Sequence, residues 1–173
     1  KGIILKTKGV GVINVAKKKT YKEKKIVNKF LYVGRFSKEK NIEFLINYFK
    51  DNKNFTLSLI GYGYLEGKLL KMSKGIDNLK FLGAIDNKQL YKHYQDHDVF
   101  ILPSEIEPWG LVVEEALSNG LPVLVSDRVG CVNEIVMDGI NGFVFEFNNY
   151  DNFQKKINLI IDKDIYNKLK LNI

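Results

Sequence analysis

Cysteine is nearly absent from this chain: Cys131 stands alone among 173 residues. A lone thiol excludes an internal disulfide framework and any zinc site built on cysteines. Long apolar runs are missing too. The longest, Val99-Phe100-Ile101-Leu102 and Leu121-Pro122-Val123-Leu124-Val125, have the length of strands and fall well short of the roughly 20 residues that span a bilayer. No charged, apolar, small-residue succession opens the chain, so no signal peptide is read and the expected location is the cytoplasm. Internal repeats and low-complexity tracts are also lacking. The first residue is Lys1 rather than Met, so a fragment of a longer protein is expected.

What is present is ordinary globular material, 45% hydrophobic, 12% aromatic and 27% charged, enough for one full core. The net charge of +7 suggests a nucleic-acid partner until it is divided along the chain. Residues 1–29 hold ten lysines against one acid, Glu23, whereas the remainder holds 17 basic and 19 acidic residues. The excess belongs to a leading segment, and no nucleic-acid partner is expected of so balanced a body. The segment reads as a solvated linker. The alternative is peripheral contact with the inner face of the cell membrane, where a polybasic stretch gains about 1 kcal/mol per lysine beside anionic lipid.

Residues 1–28 are therefore read as a basic leader, the tail of a missing N-terminal domain, with residues 10–15 as a strand tail from it. Residues 29–173 read as one domain. Strands are predicted at 30–33, 55–60, 79–82, 99–102, 123–126 and 143–147. Helices are predicted at 41–50, 64–74, 86–95, 111–119, 133–136 and 150–162, with Asp86 as an N-cap. Alternating strands and helices with near-continuous apolar strands give an α/β fold, a doubly wound parallel sheet covered on both faces. Such sheets bind ligands beyond the C-terminal ends of their strands. The loops opening at Gly34, Gly61, Gly83, Pro103 and Asp127 are therefore the ones to inspect.

In the first of these, Arg35 and Lys40 flank a turn that opens a helix. Two cations beside a helix N-terminus suit a pyrophosphate, and equally they read as solvated surface charge. The densest cluster follows Pro103, where Glu105, Glu107, Glu114 and Glu115 crowd one strand-to-helix corner beside the sole tryptophan, Trp109, and Gly110. Carboxylates accept hydrogen bonds from vicinal sugar hydroxyls, and a glycine at a helix start lets backbone approach phosphate. The alternative is that the acids merely complement the helix dipole. A helical wheel does not choose between Glu114 and Glu115.

Three stretches carry a resemblance: Val33-Gly34-Arg35-Phe36-Ser37-Lys38-Glu39-Lys40; Asp98 to Ser104, continuing from Glu107 to Ala116; and Gly120 to Asp127 with Gly130 to Glu134, Asp138-Gly139 and Asn141-Gly142. Over residues 29–150 the chain resembles the C-terminal domain of group-1 (RfaG-like) retaining glycosyltransferases of the two-domain GT-B architecture, in motif order and in spacing. The resemblance implies that Glu107 and Glu115 form the family's Glu-x7-Glu pair, Glu107 facing the transferred sugar and Glu115 holding the ribose hydroxyls. It implies that Arg35 and Lys40 neutralise the diphosphate, with amide donors from Gly110, Leu111 and Val112, and that Ala84 and Ile85 lie against the base. Where many members have glycine after the lysine, this chain has Asn41, a residue that also tolerates a left-handed position.

Gly61-Tyr62-Gly63 begins a dinucleotide fingerprint, but Glu66 occupies the place of the third glycine. Gly61 and Gly63 are therefore expected to line a donor cleft rather than a nicotinamide site. Asp96-His97-Asp98 spells the Asp-x-Asp of metal-dependent transferases but precedes its strand, at the wrong edge of the sheet. His93 and His97 share a helix face without a third ligand in sequence. Cys131 and Glu134 are expected at the start of a short helix, Cys131 as packing and Glu134 either touching the sugar or complementing the dipole. The sequence thus leads to a donor-binding domain that takes a nucleoside-diphosphate sugar, with no metal and no other cofactor. The sugar or lipid-linked acceptor, in polysaccharide, capsule or cell-envelope assembly, would be bound through the missing N-terminal domain. A non-catalytic nucleotide-sugar-binding module and an NAD-binding Rossmann domain are the rival readings.

Overall fold

The computed structural model describes residues 23–173. Most of the predicted leader, and the strand tail expected at residues 10–15, lie outside the described residues. Six strands form one sheet: β1 (Lys29–Val33), β2 (Thr56–Ile60), β3 (Leu79–Gly83), β4 (Val99–Leu102), β5 (Val123–Ser126) and β6 (Gly142–Phe145). Their order is β3-β2-β1-β4-β5-β6, and every pairing is parallel. Six α-helices connect or follow them: α1 (Ile42–Asp51), α2 (Glu66–Met72), α3 (Asn87–Asp96), α4 (Leu111–Ser118), α5 (Tyr150–Ile161) and α6 (Lys163–Leu171).

Apart from the edge strand β3, which is half-exposed, the strands are buried on both faces, as their continuous apolar runs require. All four residues of β4 and of β5 are buried, so neither face of the central sheet meets water. Rings fill the space between sheet and helices. Phe153 of α5 packs edge-on against Phe44 and Tyr48 of α1 and Phe145 of β6, and Phe30 of β1 meets Phe49 and Phe55 in the same way. Offset and edge-to-face rings add roughly 0.5–1.5 kcal/mol per pair to the burial of their area.

Strand order reverses between β1 and β4. The chain winds outward from β1 to β3, returns, and winds outward again from β4 to β6. In a doubly wound sheet this reversal opens a crevice at the C-terminal strand ends, because the loops after the two central strands diverge. The loops in question carry Arg35 and Lys40 on one side and Glu107 on the other.

The opposite edge of the sheet is closed by Asp98. Its carboxylate accepts from the backbone N–H groups of Asn28 and Lys29, both at 3.0 Å, and from Lys24 Nζ. Its carbonyl accepts from the Tyr166 hydroxyl at 2.9 Å. The Asn167 side chain both donates to and accepts from the Lys24 backbone, at 2.9 Å each. The last residues of the predicted leader are thus held against the body, and Val27 enters the core.

Two elements differ from expectation. The helix predicted at 133–136 is a turn: the Cys131 carbonyl accepts from the amides of Glu134, Ile135 and Val136, and Asn133 adopts a left-handed φ of 67°. A left-handed residue cannot sit inside a right-handed helix. Conversely α6 is a helix that had not been predicted, capped by Asp162, whose side chain accepts from the amides of Asp164 and Ile165 at 3.0 Å.

Candidate functional site

The site begins where β1 ends. Gly34 N–H donates to the Ile60 carbonyl and Phe36 N–H to that of Tyr62, so the loops after β1 and β2 run side by side. Two glycines allow this. A β-carbon at Gly61, whose φ is +140°, would lie 1.9 Å from the Gly34 carbonyl oxygen, and one at Gly63 would lie 2.4 Å from that of Phe36. Beneath them the Tyr32 hydroxyl donates to the Arg35 carbonyl at 2.8 Å, which fixes the backbone that presents Arg35. Burial, and after it the negative charges of Glu107 and Glu39, push the Tyr32 hydroxyl well above its usual range, while Arg35 opposes them. It therefore stays a neutral donor.

A 3-10 turn, Lys38–Lys40, then leads to Asn41, which adopts the left-handed conformation with φ 54°. The turn brings Lys40 inward: its Nζ lies 2.5 Å from Glu107 Oε2, and the two side chains are 11% and 15% exposed. The Glu39 carbonyl accepts from the Glu105 amide at 2.8 Å, which ties the cation-bearing loop to the carboxylate-bearing one.

From Glu107 the chain is held against the loop after β5. The Gly130 amide donates to the Glu107 carbonyl at 2.8 Å, and the Cys131 amide to that of Trp109 at 3.0 Å. Gly110 follows with φ 98° and caps α4. The first-turn amides of Leu111 and Val112 have no preceding helical carbonyl to pair with, which is what makes such an end receptive to an anion. The adjacent acids of α4 go separate ways. Glu114 is buried and accepts from the Trp109 indole N–H, whereas Glu115 Oε2 accepts from the Tyr94 hydroxyl of α3 at 2.8 Å.

Beside these loops opens a cleft of about 220 Å³, lined among others by Arg35, Gly61, Tyr62, Ala84, Ile85, Asn87 and Leu90. The structure thus brings Arg35, Gly61, Ala84 and Ile85 into one cavity and Lys40 against Glu107. Gly63 sits off the lining, packed on Phe36. Glu115 stands behind, one α3 turn beyond Leu90 through its bond to Tyr94. Sequence reasoning missed Tyr32, Tyr94 and Asn87. Tyr94 acts through a contact 21 residues away that no local spacing encodes, Tyr32 bonds only three residues on, across the bend at Gly34, and Asn87 follows the Asp86 cap that was recognised, whose side chain accepts from the Lys88 amide at 2.7 Å.

The residues set aside have structural employment. His97 is engaged at both ring nitrogens, Nδ1 with the His93 carbonyl at 2.6 Å and Nε2 with Ser58 Oγ at 2.9 Å. Cys131 is fully buried, and burial, more than any nearby charge, pushes its thiol up to about 12. Among the described residues no group of three His, Cys, Asp or Glu side chains converges as a metal site, and no helix is long and apolar enough to cross a membrane.

A doubly wound parallel sheet with a cleft over the C-terminal ends of β1 and β2, next to the reversal of strand order, is a Rossmann-like domain of the kind that forms half of a GT-B glycosyltransferase. The chain belongs to the family described as "Glycosyl transferases group 1", which matches residues 14–172. It is 33% identical over 134 residues to sulfoquinovosyl transferase SQD2 of Arabidopsis thaliana, covering 76% of this chain and 26% of that protein. It is 31% identical over 139 residues to the O-antigen biosynthesis glycosyltransferase WbnH of Escherichia coli, covering 80% and 39% respectively. Among solved structures, Alr3699/HepE of Anabaena in complex with UDP and glucose superposes with a TM-score of 0.72 at 23% identity, over 84% of this chain and 42% of that one. The chain spans less than half the length of each of these three proteins.

Proposed function

We propose that this chain is the donor-binding half of a retaining glycosyltransferase that takes a sugar from a nucleoside-diphosphate sugar and passes it to an acceptor in polysaccharide or glycolipid synthesis. The observation that carries the reading is the Lys40–Glu107 pair at the strand-order reversal, beside the cleft that Arg35 enters. Similar proteins support its parts: Alr3699/HepE of Anabaena binds UDP and glucose, and WbnH of Escherichia coli is a glycosyltransferase of O-antigen biosynthesis.

As the sugar–phosphate bond breaks, negative charge grows on the departing diphosphate and positive charge on the sugar ring. Arg35, Lys40 and the first amides of α4 would meet the former, and Glu107 the latter. These groups stand in place before the reaction, so they need not reorganise as the charge separates. The neutralisation that a divalent metal performs in other transferases is assigned here to Arg35 and Lys40. Retention is assigned to attack from the face the leaving group departs, with no protein nucleophile. The acceptor would be bound, and any base that deprotonates it supplied, by another domain, to which the lysine-rich segment before Glu23 would serve as a solvated linker.

Calorimetry of the chain with UDP, GDP and NADH tests the reading. One nucleoside diphosphate should bind and NADH should not, and Arg35→Ala should weaken the binding about tenfold or more, the size of a lost hydrogen bond to a charged group. Failure of every nucleoside diphosphate to bind removes the proposal.

A further inference from the structure

Among the described residues four tyrosines are fully buried: Tyr32, Tyr48, Tyr94 and Tyr166. Two of them donate to main-chain carbonyls, Tyr32 to Arg35 and Tyr166 to Asp98, which is how a buried phenol is ordinarily satisfied. Tyr94 differs from these two, because it donates to a side chain, the Glu115 carboxylate on the neighbouring helix. A carbonyl cannot be re-aimed by its donor; a glutamate, with three rotatable bonds, can.

We infer that Tyr94 is a positioning residue whose hydroxyl, donated from α3 to Glu115 Oε2 on α4, fixes the carboxylate that holds the ribose hydroxyls of the donor; this rests on the donor-site reading above. Tyr94 is itself immovable. It is 1% exposed, its ring lies 6.1 Å from that of Phe100 in β4, and it stands one turn from Leu90, which lines the cleft. Burial, with the Glu115 charge behind it, pushes the hydroxyl upward, so it remains a donor across the working pH range. A carboxylate offers about four lone-pair directions. Accepting from Tyr94 therefore leaves capacity for a vicinal diol while removing the side chain's freedom to swing away. The neighbouring Glu114 cannot substitute, since its carboxylate is already engaged by the Trp109 indole.

The test compares UDP with 2′-deoxy-UDP, and GDP with 2′-deoxy-GDP, by calorimetry on the full chain. Wild type should bind the preferred ribonucleotide about tenfold more tightly than its deoxy form, the size of one hydrogen bond to a charged group. In Tyr94→Phe the ratio should fall below about threefold, because an unaimed carboxylate recovers only part of that bond. Once Glu115 is replaced by Ala, Tyr94→Phe should change ribonucleotide affinity by less than about twofold, since the two changes then share one interaction. Should Tyr94→Phe not fold, the wild-type chain labelled with [ζ-13C]tyrosine serves instead. The one of nine tyrosine resonances that Glu115→Ala moves should also move when the ribonucleotide binds. The inference is overturned if Tyr94→Phe keeps the full ratio, if it weakens both forms equally, if its effect persists without Glu115, or if that resonance stays still. If wild type does not tell ribose from deoxyribose, the assignment of Glu115 to the ribose fails first and takes this inference with it.

Discussion

Lys40 Nζ lies 2.5 Å from Glu107 Oε2, across the point where strand order reverses. The cation proposed as a diphosphate ligand is thus paired with the carboxylate proposed to face the sugar.

Glu107→Gln removes the charge and keeps the shape. It should leave nucleoside-diphosphate binding as tight as in wild type, because Lys40 is released to the phosphates, while sugar transfer by the full-length enzyme falls about 10²-fold or more. Calorimetry and a transfer assay on the same variant check both halves. A Glu107→Gln enzyme that transfers normally would falsify the role given to this carboxylate. In urea, Lys40→Ala, Glu107→Ala and the double variant should show a coupling of about 1–3 kcal/mol, as expected for a nearly buried pair.

Gly61→Ala tests the approach of the β1 and β2 loops. Its β-carbon would fall 1.9 Å from the Gly34 carbonyl oxygen on backbone with φ +140°. The loops must separate or the residue must change region, at a cost of about 3 kcal/mol. Thermal unfolding should shift down by roughly 6–12 °C. An unchanged Tm would mean that the loops do not touch in this way.

His97 sets a pH dependence of stability. Its pKa is lowered, chiefly by burial, so the unfolded chain binds the proton more readily than the folded one. Its contribution is fully present above the unfolded value, about 6.5, and drains away as pH falls from there through the folded value. His97→Gln should flatten the fall in urea midpoint between pH 7.5 and pH 5, and an identical slope in the variant would remove His97 as the cause.

Cys131 should be inert. With its thiol buried and held near 12, the folded chain should not react with an aromatic disulfide reagent at pH 8, and should react fully in urea. Rapid labelling of the folded protein would contradict the packing described for this residue.

The parallel sheet was legible because burial on both faces leaves a plain mark: runs such as Val99 to Leu102 can only be interior strands. The left-handed seat of Asn41 and the cap at Asp86 were equally readable, since both depend on local chemistry. Residues 133–136 misled because a turn whose amides converge on one carbonyl has the composition of a helix end, and only the φ of Asn133 separates them. Helix α6 carried apolar spacing in Ile165, Tyr166 and Leu169 that was not used. At the site, resemblance rather than periodicity chose between Glu114 and Glu115; the structure distinguishes them by their donors, Trp109 and Tyr94. Those donors lie 5 and 21 residues away in sequence, and no window-based pattern reaches the second.

The bond from the Glu105 amide to the Glu39 carbonyl has a mechanical consequence. Lys40 and Glu107 are 67 positions apart in the chain, yet each follows directly on a residue of one welded joint or lies within two of it. The spacing between the two charges is therefore set by one shared joint rather than by two independent loops, so a change on either side of that joint should disturb lysine and glutamate together.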